Sequence, residues 1–143
     1  MREEKVPLKN IISDNKLRPP DDPVFSYLLE DAVKGRIPVY YAAVPLELVR
    51  PFAPDFHPEE HPIGKQAMQA IFDNWQSGKF IPMWVYPRND NFIMSDDYIT
   101  YAAALKGQPD YVPCWVLGDP KLPGVKDIQG PIKTEDILKI LGC

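Results

Sequence analysis

Residues 91–116 read NFIMSDDYITYAAALKGQPDYVPCWV, and their order of local signals decides the fold class. Asn91-Phe92-Ile93-Met94 is short, β-branched and aromatic, the composition of a strand. Asp97–Leu105 is Ala-rich and predicts a short helix that ends near Gly107. Pro109 and Pro113 interrupt any continuation, and Val112-Pro113-Cys114-Trp115-Val116 returns to strand composition.

The last of these segments has two counterparts upstream, Ile37-Pro38-Val39-Tyr40 and Ile81-Pro82-Met83-Trp84-Val85. Each carries its proline near the start, where a missing N–H breaks no central ladder bond. All three are expected as strands of one sheet. The segment at Ile81 should reach Asn91–Met94 through Pro87-Arg88-Asn89-Asp90, a run of turn formers.

Helices are expected between and around the strands. Gly64–Gln76 places Ala67, Met68, Ile71, Phe72 and Trp75 on one stripe. Asp22-Pro23 reads as an N-cap followed by proline at the first helical position, and Gly35 is placed to end that helix. Its apolar face is read as Val24, Tyr27, Leu28 and Val33. Thr134–Leu141 is a terminal helix, with Thr134 as its expected N-cap and Glu135 and Asp136 in its first turn. The expected division is one domain over residues 1–143: an extended arm (1–22), a helix (23–36), an α/β core (37–118), and a tail (119–143) with the terminal helix.

Composition narrows the function classes. The 143 residues carry 45% hydrophobic and 11% aromatic content, enough for a folded core. No apolar run reaches the length of a membrane span, and a soluble protein with no membrane association is expected. The net charge of −4 and the scatter of lysines and arginines disfavour nonspecific DNA binding. Cys114 lies in an apolar run and Cys143 is the last residue, so a disulfide framework is not expected and the compartment reads as cytoplasmic.

The order of elements, together with VPLELVRP at 44–51 after the first strand, resembles the ParB N-terminal/sulfiredoxin-like fold over residues 37–118. That resemblance implies a small mixed sheet flanked by helices. It also implies a Gly-x-x-Arg turn that cradles nucleotide phosphate as the Ala-rich helix begins. With Tyr101-Ala102-Ala103 aligned on that helix, Asp97 falls at the glycine and Thr100 at the arginine. Tyr98 falls at the cysteine of sulfiredoxins, and Lys65 is the one phosphate-directed position retained. The absent cysteine excludes sulfiredoxin chemistry. Carboxylates at the turn oppose a phosphate: two unit charges about 4 Å apart repel by about 4 kcal/mol at an effective dielectric of 20.

The pocket candidates are therefore Arg50, Lys65, Asp96, Asp97, Tyr98 and Thr100. Asp96 and Asp97 are the oxygen donors available to Mg²⁺; as an N-cap and a first-turn acid they are equally explained without any metal. No other cofactor is expected. His57-Pro58-Glu59-Glu60-His61 matches the H-x-x-E-H string, but that motif requires a regular helix. Pro58 and Pro62 predict an exposed loop without catalytic zinc, leaving a weak surface metal site as the other reading. Trp75, Trp84 and Trp115 are expected in the core.

Two functions fit these residues. One is a binding or regulatory protein that recognises a protein partner or small ligand on a fold that has lost its phosphate turn. The alternative is a divergent ParB-like nucleotide-hydrolysing enzyme or nuclease using Mg²⁺. The missing Gly-x-x-Arg favours the first.

Overall fold

The computed structural model describes residues 18–142. Most of the 1–22 arm and Cys143 lie outside that range. The elements are α1 (Pro23–Val33), β1 (Val39–Pro45), β2 (Val49–Pro51), α2 (Pro62–Gln76), β3 (Met83–Arg88), β4 (Asn91–Met94), α3 (Tyr98–Gly107), β5 (Tyr111–Leu117), β6 (Lys126–Gln129) and α4 (Thr134–Ile140). Single 3₁₀ turns occupy Leu46–Leu48 and Pro58–Glu60.

The six strands form one mixed sheet in the order β2-β4-β3-β5-β1-β6. The three proline-led segments are adjacent: β5 runs parallel to β3 and antiparallel to β1. Pro113 lies inside β5, yet pairing with β3 begins only at Cys114, so its missing N–H interrupts nothing on that side. The β3–β4 connection is tighter than the sequence suggests. Pro87 and Arg88 belong to β3, and Asn89 turns the chain at φ 56°, a left-handed conformation that asparagine tolerates.

Strand alternation separates two apolar layers. Ala42, Val44, Met83, Val85, Phe92, Met94, Val112, Cys114 and Val116 face α2 and α3, where Trp75, Tyr98 and Ala104 meet them. Val39, Tyr86 and Leu117 point the other way, toward Phe25 and Ala32 of α1 and Ile137 of α4. The result is an α/β protein with a mixed sheet between helices, as expected.

Several local expectations need correction. The buried side of α1 is Phe25 and Ala32, backed by Leu28, Leu29 and Val33, whereas Val24 and Tyr27 are exposed at 49% and 67%. The helix turns this way because the Asp22 carboxylate pins its first turn to the sheet. Two strands also arise where none was read. Val49–Pro51 pairs in parallel with β4, and Lys126–Gln129 pairs with β1 at the far edge of the sheet. The cap of α4 is Lys133, with no side-chain bond; Thr134 is its first helical residue. Trp75 is core as expected, while Trp84 and Trp115 are half-buried against the second layer, their rings tilted at 32° with centres 6.1 Å apart and Tyr41 beside Trp115. No helix among the described residues is long and apolar enough to cross a membrane.

Candidate functional site

The β4–α3 turn is built from Ser95, Asp96 and Asp97. Asp97 stands at the cap position of α3, but its side chain makes no capping bond. Its Oδ2 turns inward and accepts the Trp84 N–H at 2.8 Å. The N-cap role expected for this carboxylate is therefore replaced by a bond to β3. Burial raises its pKa to about 6, opposed by the Trp84 N–H and reinforced by the charge of Asp96. Asp96 is an exposed residue, and its carboxyl pKa is raised by partial desolvation and by the charges of Asp22 and Asp21.

Asp22 enters this turn from α1. Its Oδ1 accepts the N–H groups of Val24 and Phe25, which is the capping role read from the sequence. Its Oδ2 accepts hydroxyl hydrogens from Tyr86, at 2.7 Å, and from Ser95. Four donors satisfy one buried carboxylate, which is what makes its burial tolerable. The Tyr86 hydroxyl, buried and bonded to this anion, has its pKa pushed up to about 12.

Tyr98 and Thr100 are buried, and neither lines either of the two larger clefts. The Tyr98 hydroxyl accepts the Ala53 N–H at 2.9 Å and its ring meets Phe56 edge-on at 4.9 Å, so Tyr98 ties the loop after β2 to α3. Lys65 is exposed on the first turn of α2. It lines none of the cavities that hold the other candidates.

Arg50 is the sequence candidate that does face a cleft. Its guanidinium donates to the carbonyls of Glu47 and Val49, which holds it beside Tyr101. There it lines a cleft of about 570 Å³ between the β1–β2 connection and the end of α3, with Glu47, Gln108, Asp110 and Tyr111 on the other walls. A second cleft of about 490 Å³ opens at the β1–β5–β6 end of the sheet, lined by Tyr41, Phe80, Pro113 and Ile128. Both volumes fall in the range of ligand sites. The two clefts share Tyr111. One is charged and hydrogen-bonding; the other is apolar, with Phe80 and Ile128 exposed at 57% and 39%.

Sequence reasoning did not find this second cleft. Its walls come from a loop residue (Phe80), a strand end (Tyr111) and an edge strand (Ile128), far apart in the chain and joined by no common period. The one local signal was Phe80 itself, a large apolar residue just after Gly78-Lys79.

No family model matches the sequence, and no curated protein matches it. Among solved structures, the chain is similar to sulfiredoxin from Arabidopsis thaliana. The identity is 16%, the TM-score 0.44, and the match covers 55% of this chain and 85% of that one. The likeness is one of fold alone.

Proposed function

We propose that this chain is a binding protein that takes an extended segment of a partner protein across Tyr111. In this reading an apolar side chain of the partner enters the Tyr41–Phe80–Ile128 cleft and a polar group meets Arg50. The observation that carries it is the meeting of two open clefts of opposite character at one exposed tyrosine. β6 strengthens it: it is the last strand of the sheet and its residues are exposed, so its outer edge offers backbone groups to a strand-like ligand. The β4–α3 turn supports the same conclusion from the other direction. Asp97 is bonded inward and Tyr98 and Thr100 are buried, an arrangement poorly suited to nucleotide phosphate. The reading requires no cofactor, and a buried free thiol at Cys114 suits a reducing cytoplasm.

The test uses a display library of random twelve-residue peptides against the full chain. Expected is enrichment of peptides with a branched or aromatic residue, lost in Ile128→Asp and in Arg50→Ala but kept in Lys65→Ala. Failure to enrich, or enrichment indifferent to both cleft variants, overturns the proposal. Calorimetry with CTP and ATP completes it. No binding is expected at micromolar concentrations without Mg²⁺, and any Mg²⁺-dependent binding should vanish when Asp96 and Asp97 are both changed to Asn. Tight metal-free nucleotide binding would favour the enzyme reading instead.

A further inference from the structure

The turn between β2 and α2 carries chemistry that the clefts do not use. Pro58 opens a single 3₁₀ turn closed by the Glu60 N–H to the His57 carbonyl and the His61 N–H to the Pro58 carbonyl. In such a turn residues three apart eclipse, which brings His57 and Glu60 to one side. One ligand atom from each of His57, Glu59 and Glu60 lies within 4.8 Å of the others, and among the described residues no other group of three such side chains converges. His57 Nδ1 and Glu59 Oε2 are 3.3 Å apart. Two ligands at about 2.0–2.1 Å from a tetrahedral Zn²⁺ stand about 3.3 Å from each other.

We infer that His57, Glu59 and Glu60 bind one divalent transition-metal ion of the Zn²⁺ class. The turn is tightly packed. Pro58 is buried, and Gly64 packs so closely beneath it that a Cβ there would lie 1.8 Å from the Pro58 carbonyl oxygen. His57 and Glu59 also border a small, largely apolar pocket of about 40 Å³ with Phe56, Tyr98 and Leu105, which Glu60 does not line. One imidazole with two carboxylates suits Zn²⁺ and its neighbours, whereas Mg²⁺ prefers oxygen donors alone. The ligand set is not H-x-x-E-H. His61 Nδ1 accepts the Ile63 N–H at 3.2 Å and caps α2.

Calorimetry of the full chain with ZnCl₂ tests the site, with Co²⁺ absorption as a second readout. One equivalent is expected to bind in the micromolar range. His57→Asn and Glu60→Gln should each weaken binding roughly tenfold or more, on the scale that disturbing a metal shell carries. His61→Asn, which keeps a capping side chain, should leave it unchanged. MgCl₂ should give no heat that the His57 or Glu60 variants alter. Two surface variants on separate residues guard against a misfolded one, with circular dichroism checking each. Absence of Zn²⁺ binding up to millimolar concentration overturns the inference. So does unchanged affinity in both ligand variants, or an equal loss in His61→Asn.

Discussion

Asp22→Ala tests how α1 is fastened to the sheet. The substitution removes the acceptor of four hydrogen bonds at once: the N–H groups of Val24 and Phe25 and the hydroxyls of Tyr86 and Ser95. Loss of an N-cap alone costs about 1 kcal/mol. Each buried hydroxyl left without its acceptor adds about 1–3 kcal/mol, less where it can turn to another partner. Together these predict about 3–7 kcal/mol, at the lower end where a freed hydroxyl finds another partner, a large part of the 5–15 kcal/mol typical of a whole domain. Asn at the same position keeps the cap and one acceptor oxygen, and should lose only about 1–2 kcal/mol. Urea unfolding followed by circular dichroism measures both. A double-mutant cycle with Tyr86→Phe isolates the cross-chain bond and should give a coupling of about 1 kcal/mol or more. If Asp22→Ala costs no more than a cap, or the coupling is nil, Asp22 only caps the start of α1 and does not anchor it to the sheet.

The remaining predictions concern the turn and the helix that flank the site. Asp97 has a folded pKa near 6 against an ordinary value of 3.8, so the native state holds its proton more tightly than the unfolded chain. The stability this contributes is complete below about 3.8 and is lost as pH rises through about 6. Asp97→Asn keeps an acceptor for the Trp84 N–H, so its thermal midpoint should fall less than wild type's between pH 4 and pH 7. Parallel pH profiles for the two proteins would contradict a buried carboxylate. Gly64→Ala should destabilise the protein by about 2 kcal/mol or more despite alanine's helix preference of about 1 kcal/mol, because the new Cβ meets backbone rather than a flexible side chain. A neutral or stabilising result in thermal unfolding would mean that α2 and the 3₁₀ turn are not in contact.

Much of the architecture was legible from short-range signals. Proline at the head of β-branched, aromatic runs marks β1, β3 and β5, because a residue without an N–H is tolerated only where no ladder bond is needed. Asp22-Pro23 marks the start of α1 for an equally local reason, since capping involves atoms two or three residues apart. The stripe on α2 is only partly legible: Trp75 is buried and Met68, Ile71 and Phe72 are half-buried, but Ala67 is exposed. For the site, Arg50 was found by its place after VPLELV, and the departures at Asp97 and Thr100 were read as the loss of a phosphate turn.

What only the tertiary structure decided depends on partners distant in the chain. The sequence leaves the two apolar sides of α1 nearly equivalent, and the Asp22 bonds to Tyr86 and Ser95, 64 and 73 residues away, select the side with Phe25 and Ala32. β2 and β6 are too short for any period to show, and exist because a neighbouring strand offers unpaired backbone groups. Asp97 has the composition of a cap but its carboxylate turns inward to the Trp84 N–H of β3, 13 residues away, instead of bonding the first turn of α3. The apolar cleft gathers Tyr41, Phe80 and Ile128 from three separate segments. Local chemistry chooses elements within a few residues; the assembled sheet chooses which of their faces meet, and so where open surface is left to bind anything.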